Sequence, residues 1–222
     1  MLNASYKILR KLNRCTILKN TLFIQTQETP NPNSLKFLPG CQVLASGTYE
    51  FKSLDSAKIS PLAKSLLKVE GVKSIFLATD FITVNKSDEN EWQLLKPEIY
   101  SIIMDFFSSG LSVIENIKDN EPQKIVEEDS ETVQMIKEIL DSRIRPTVQE
   151  DGGDVIFIGY SDGVVKLKMQ GACTGCPSSV VTLKHGIENM LKFYVPDIKS
   201  VEQIEDETET ISQKEFEKFE KK

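Results

Sequence analysis

The chain has 222 residues, 40% hydrophobic and 27% charged, which is enough for one large or two small domains with buried cores. A net charge of −6 argues against a nucleic-acid partner, because phosphate binding needs clustered Lys and Arg. Four cysteines and one histidine exclude a disulfide-rich secreted scaffold and a multi-histidine metal site, and no apolar run approaches the roughly 20 residues of a transmembrane helix.

The first 23 residues are basic and contain no acidic residue. Their Lys and Arg side chains lie largely opposite a helical face formed by Leu2, Tyr6, Leu9 and Leu12. This pattern is typical of a mitochondrial presequence, and the alternative is a disordered basic N-terminus without an address function. We expect residues 1–23 to be a presequence that directs the protein to the mitochondrial matrix. Without its five basic residues, the remainder carries a net charge of −11.

Residues 24–115 are predicted to form a compact α+β domain. The Pro-Asn-Pro sequence at 30–32 separates two strand-like runs, and the Pro-Gly pair at 39–40 ends the second. Apolar residues alternate within 74–85 around a Thr-Asp turn, which predicts another hairpin.

Two helices are predicted in the same segment. Ser60 and Pro61 are typical of a helix N-cap and first turn, and Gly71 is the predicted stop. A second helix is predicted to begin near Pro97. Its apolar side chains recur at helical spacing, at Ile99, Ile102, Ile103 and Phe106.

No catalytic set is evident in residues 24–115, which contain no histidine and only scattered carboxylates. Cys41 follows the Pro-Gly turn, where a lone thiol is more often structural than reactive. The polar stretch 116–130 has five acidic residues, one Pro and no aromatic residue, so we expect it to be a linker.

The second domain, residues 131–204, opens with a helical stripe formed by Val133, Ile136, Leu140 and Ile144. Pro146 is expected to kink or end this helix. Two β-rich runs, 155–160 and 164–169, flank a Ser-Asp-Gly turn and predict an antiparallel hairpin. The Asp-Gly-Gly-Asp sequence at 151–154 is expected to be a structural turn, because two carboxylates fall short of the six to eight oxygens that calcium prefers.

The candidate chemistry follows that hairpin, where Cys173 and Cys176 are spaced as CxxC. The second cysteine lies in the N-cap region of a helix beginning at Pro177, with a buried face of Val180, Leu183, Ile187 and Leu191. The N-terminus of a helix has unpaired N–H groups and a partial positive charge, which favour thiolate over thiol. Gly171 and Gly175 allow the backbone to lie close to whatever the sulfurs bind.

A CxxC pair alone is compatible with a redox dithiol, a zinc site, an iron–sulfur site or two inert buried cysteines. His185 lies about 13 Å of helical rise from Cys176 and cannot complete the site. Cys15 is lost with a cleaved presequence and Cys41 belongs to the other domain. Each chain thus supplies two thiolates, whereas structural zinc and iron–sulfur clusters use four, so two chains related by a twofold axis would share one centre.

Residues 205–222 form an acidic tail with seven acidic and four basic residues. We expect a solvated, weakly helical segment, and the alternative is a docking segment that uses Phe216 and Phe219.

The CxxC run at 171–179, preceded by Val-Gln-Glu-Asp-Gly-Gly-Asp at 148–154, resembles the C-terminal domain of the NifU-like (Nfu) iron–sulfur cluster scaffold proteins. The run Thr-Pro-Asn-Pro-Asn-Ser-Leu-Lys-Phe at 29–37 resembles the Nfu N-terminal domain, and both resemblances together cover about residues 24–204.

This resemblance implies that Cys173 and Cys176 of two subunits bridge one [4Fe–4S] cluster in a homodimer. It implies a carrier without enzymatic activity, which receives the cluster from upstream assembly factors. Apo-proteins such as lipoyl synthase and respiratory-complex subunits are the recipients it suggests. A zinc-bridged dimeric adaptor and a thiol–disulfide redox protein remain the alternatives.

Overall fold

A computed structural model of the chain describes residues 23–115, 130–174 and 177–204. The predictions of a presequence and of an acidic tail concern residues outside this part of the chain, apart from Phe23, and so does the predicted linker apart from Ser130. No helix among the described residues is long and apolar enough to cross a membrane.

The first domain, which we call the N-terminal domain, is built on a five-stranded antiparallel sheet with the order β1-β2-β5-β4-β3. The strands are β1 (Gln25–Glu28), β2 (Ser34–Leu38), β3 (Tyr49–Phe51), β4 (Val72–Leu77) and β5 (Ile82–Lys86). The two predicted hairpins are confirmed as β1–β2 and β4–β5. The edge strand β3 was not predicted from the sequence.

Helices α1 (Pro61–Leu66) and α2 (Trp92–Ser109) pack on one face of this sheet and complete its core. The predicted cap is confirmed, since the backbone N–H of Ala63 donates to Ser60 Oγ over 3.2 Å. The prediction that the second helix begins near Pro97 is wrong. Its first turn is held by the Trp92 indole, which donates to Pro32 O over 2.9 Å, and by the burial of Leu95, and these contacts offset the one backbone bond that Pro97 lacks.

The second domain, which we call the C-terminal domain, has a three-stranded sheet with the order β6-β7-β8. Its elements are α3 (Glu131–Ile139), α4 (Arg145–Glu150), β6 (Gly153–Ser161), β7 (Val164–Gly171), α5 (Pro177–Tyr194) and β8 (Ser200–Gln203). The predicted hairpin is confirmed as β6–β7, closed by a turn in which Asp162 and Gly163 have φ of 52° and 86°. Strand β8, which pairs parallel to β7, was not predicted.

The irregularity expected at Pro146 is a π-helical turn over Leu140–Ile144, which joins α3 to α4. A wider turn of this kind accommodates a proline without ending the helical path, which here continues to Glu150.

The fold is therefore α+β with two small domains, as the sequence predicts. Each domain has its own hydrophobic core among the described residues. The largest fully buried side chains of the first core include Phe37, Phe51 and Leu62, and those of the second include Ile136 and Leu167.

Candidate metal centre

The first cysteine of the CxxC pair lies on the connection between β7 and α5. Strand β7 ends at Gly171, whose φ is 69° and where a Cβ atom would lie 2.7 Å from Gly152 O. Helix α5 begins at Pro177, directly after the second cysteine, as predicted. Gly175 and Cys176 themselves lie outside the described residues.

The Cys173 side chain is 6% exposed and packs into the C-terminal core. The turn around it is closed by Thr174, whose backbone N–H and hydroxyl both donate to Gly171 O, over 3.2 and 2.8 Å. On the neighbouring strand, a Cβ atom at Gly153 would lie 2.5 Å from Cys173 Sγ. The thiol therefore occupies space that only a glycine at position 153 leaves open.

Burial, and to a smaller extent the carboxylates of Asp151, Asp154 and Glu50, together raise the pKa of the Cys173 thiol to about 12. The helix N-terminus is expected to favour the thiolate, and at Cys173 burial and three nearby carboxylates act in the opposite direction. In this conformation Cys173 is a neutral thiol, and binding to a metal would release its proton.

The Asp-Gly-Gly-Asp sequence is a turn at residues 151–152 that leads into β6, and the side chain of Asp154 in this strand has a structural role. The Asp154 carboxylate accepts hydrogen bonds from Arg145 Nε over 3.0 Å, from Thr48 Oγ1 over 2.7 Å and from the backbone N–H of Val155 over 2.8 Å. Within the described ranges, no three side chains of the His, Cys, Asp and Glu types come together as a metal site.

The remaining residues considered in the sequence lie apart from this loop. Cys41 is half-buried against the N-terminal core, and neither it nor Cys173 forms a disulfide. His185 is exposed on α5.

Sequence reasoning missed the residues of the N-terminal domain that contact the loop. Asn31 Nδ2 donates to Ala172 O over 3.2 Å and to Thr174 O over 3.0 Å, so it binds the carbonyl groups on both sides of Cys173. The residue lies in the polar Pro-Asn-Pro-Asn-Ser run, whose local pattern predicts a turn and which carries the resemblance to the Nfu N-terminal domain. No local pattern indicates that this turn contacts a segment about 140 residues later.

Both halves of the chain match the profiles of known protein families. A profile described as "Scaffold protein Nfu/NifU N terminal" matches residues 24–110, and one described as "NifU-like domain" matches residues 136–202.

Two curated relatives are named "NFU1 iron-sulfur cluster scaffold homolog, mitochondrial". The protein from Drosophila willistoni is 59% identical over 204 residues, which are 91% of this chain and 71% of the relative. The one from Drosophila grimshawi is 60% identical over 200 residues, which are 90% of this chain and 67% of the relative. A NifU-like protein from Saccharomyces cerevisiae, solved by solution NMR, is 33% identical and matches 43% of this chain and 86% of its own, with a TM-score of 0.39.

The relatives' names confirm the predicted mitochondrial localisation. With both profiles in the expected order and relatives this similar over most of its length, the chain belongs to the Nfu/NifU-like family of iron–sulfur cluster scaffold proteins.

Proposed function

We propose that this scaffold binds one [4Fe–4S] cluster between two subunits, through Cys173 and Cys176 of each, and delivers it to mitochondrial apo-proteins. In this proposal residues 131–204 are the cluster-binding domain and residues 24–115 the N-terminal domain, joined by the linker 116–130. Residues 1–23 are a presequence and 205–222 an acidic tail. The observation that carries the proposal is the placement of Cys173 on a glycine-lined loop that leads directly into helix α5.

The loop provides chemistry suited to an anionic cluster. The first backbone N–H groups of a helix have no partner within the helix, and its N-terminus has a partial positive charge. Helix α5, with 18 residues, presents this end directly after Cys176. Thiolates and sulfides that accumulate negative charge there are stabilised by the same donors that stabilise other anions at helix termini.

The cluster is the cargo of the proposed carrier. Two thiolates from each chain complete the four that a [4Fe–4S] cluster uses, so neither subunit holds it alone. Each subunit's pair can be replaced by two thiolates of a recipient, one for one, without any change in oxidation state. Upstream assembly factors supply the cluster, and lipoyl synthase and respiratory-complex subunits are the recipient class.

The test is anaerobic reconstitution of the full chain with iron and sulfide, followed by visible absorption and by iron, sulfide and zinc analysis. We expect a brown protein with equal amounts of iron and sulfide. Cys173→Ser and Cys176→Ser are each expected to lose the cluster, because a pair reduced to one thiolate leaves an iron without its protein ligand. Cys41→Ser is the matched control and is expected to retain it.

Three results would contradict the proposal. A full cluster in Cys173→Ser would remove that residue from the site. A colourless protein with zinc in place of iron would identify a zinc-bridged adaptor. Turnover in a disulfide-reduction assay by the metal-free chain would identify a redox dithiol.

A further inference from the structure

One face of the N-terminal sheet is largely polar and yet buried. On the face opposite α1 and α2, strands β2, β4 and β5 present Ser34, Lys36, Ser74, Phe76, Thr83 and Asn85, and each of these side chains is at most 8% exposed. A polar sheet face is ordinarily solvated. Here β7 of the C-terminal domain lies against β4 and β5, so this face, which we call the polar sheet face, is covered by the other domain.

The polar sheet face donates hydrogen bonds to the backbone around the CxxC loop. Thr83 Oγ1 donates to Gly152 O over 2.7 Å, and Asn85 Nδ2 donates to Gly171 O over 3.1 Å. Asn31, in the middle of the β1–β2 turn, adds its two bonds to the carbonyl groups that flank Cys173. These donors bind the main-chain carbonyl groups of Gly171, of the residues on either side of Cys173, and of Gly152 just before β6.

Two charged side chains of the N-terminal domain also bind main-chain groups of the C-terminal domain, one at the loop and one at the end of α4. Glu50 Oε1, from strand β3, accepts the backbone N–H of Gly171 over 3.0 Å. Lys36 Nζ donates to the carbonyl oxygens of Gln149 and Glu150, over 3.0 and 3.3 Å, at the C-terminal end of α4. A cation is stabilised at that end of a helix by the unpaired carbonyl groups. Each of these side chains therefore meets a group of complementary hydrogen-bonding character in the other domain.

We propose that the N-terminal domain is an internal cap that binds the cluster loop of its own chain and is released when the loop binds a cluster. Asn31 occupies both flanks of Cys173, so the loop cannot face a second subunit while these bonds persist. Release on loading is the only step of this proposal that rests on the proposed function. The capped state of the metal-free chain stands on the contacts alone.

The test uses variants that oppose the contact and keep the local fold. Asn31→Asp keeps the oxygen that accepts the backbone N–H of Asn33 over 3.0 Å, and it replaces the donating amide by a carboxylate oxygen facing two carbonyl groups. Thr83→Val removes the hydroxyl donor at nearly constant volume. Asn33→Asp is the matched control: it makes the same change of charge two residues away, where the side chain bonds to Lys86 and Asp88 of its own domain.

The measurement is the rate of alkylation of Cys173 by iodoacetamide in the metal-free full chain, resolved by peptide mass spectrometry. The double variant Asn31→Asp/Thr83→Val removes three hydrogen bonds, so we expect alkylation to be about tenfold faster or more. Exchange of the Gly171 amide hydrogen should accelerate in parallel, because separation of the two domains breaks its hydrogen bond to Glu50. The Asn33→Asp protein should match the wild type.

Alkylation of Cys41 in the same sample distinguishes opening from unfolding, because this half-buried thiol becomes more reactive only if the N-terminal domain itself unfolds. If alkylation of Cys41 is also faster in the double variant, the Lys36→Met variant distinguishes opening of the contact from unfolding of the N-terminal domain. This variant acts at the α4 end of the contact, keeps the aliphatic packing and is expected to accelerate alkylation of Cys173 alone.

Unchanged alkylation of Cys173 in the double variant or in Lys36→Met, with Cys41 at its wild-type rate, would overturn the cap. Because the assay contains no iron, this failure is distinct from failure of the proposed function. A protein that does not bind a cluster would still report whether its loop is capped.

Discussion

Gly153 and Cys173 show how closely the loop is fitted around its thiol. Gly153 has ordinary backbone torsions, so the requirement for glycine there concerns space and not conformation. Besides the sulfur, a Cβ atom at this position would lie 2.7 Å from Gln170 O. Both neighbours are buried, so neither can move without displacing the strand or the loop.

Gly153→Ala is therefore expected to lower the free energy of unfolding of the C-terminal domain by about 1–3 kcal/mol, as overpacking of a core does. Hydrogen exchange of the β6 and β7 amides measures this free energy without requiring that both domains unfold together. The control is Gly159→Ala in the same strand, where an added Cβ atom meets nothing within 4 Å. Equal losses in the two variants would contradict the account of the thiol's surroundings.

At this scale the sequence identifies the cysteines but not their chemical state. The CxxC spacing and the Pro177 helix start are local signals, and both could be recognised. The pKa of Cys173 is raised by burial, then by Asp151 and Asp154, and also by Glu50, which is more than 120 residues away in the chain. A property that arises from contacts this distant has no local signature.

Among the elements, Arg145 joins the helical segment to the sheet of the C-terminal domain. It begins α4, directly after the π-helical turn, and its Nε and Nη2 donate to Asp154 Oδ1 and Val155 O over 3.0 and 3.2 Å. Its Nη1 forms an ion pair of 2.7 Å with Asp141 one turn earlier. The Asp154 side chain is only 5% exposed, so its charge depends on this partner.

Replacing Arg145 by Met is expected to lower the free energy of unfolding of the C-terminal domain by about 2–4 kcal/mol, because it leaves a buried carboxylate without its cation. The double variant Arg145→Met/Asp154→Asn should recover part of the loss, since it also removes the charge. Thermal unfolding followed by far-ultraviolet circular dichroism measures the stability of the single and of the double variant. Arg143→Met, at an exposed position of the same helical segment, serves as the control, and a loss as large as that of Arg145→Met would refute the argument.

The elements that could be predicted are those with local signals. The β4–β5 and β6–β7 hairpins have short turns between alternating strands, and α1 has a Ser-Pro cap. Strands β3 and β8 are three and four residues long and are fixed by pairing with distant strands, which a short run of sequence does not encode. The start of α2 was misplaced because a contact between Trp92 and the β1–β2 turn outweighs the local effect of Pro97.

The whole molecule combines two cores with a contact between them that is largely polar, apart from Phe76. Polar contacts of this kind contribute little net free energy each, about 1 kcal/mol, and can therefore be exchanged for others. This suits the proposed exchange, in which the loop binds its own N-terminal domain in one state and a cluster in another. The sequence predicts two domains and a shared site, but not this contact, because each of its residues also fits an ordinary turn or strand.

If two chains share one cluster through their CxxC pairs, as we propose, cluster binding and dimerisation are linked. Native mass spectrometry of the anaerobically reconstituted full chain tests it directly, because one spectrum gives both the number of chains and the bound iron and sulfide. We expect a species with two chains and one [4Fe–4S] cluster, which dissociates toward the monomer as the cluster is removed by a chelator. An intact cluster on a single chain would contradict it.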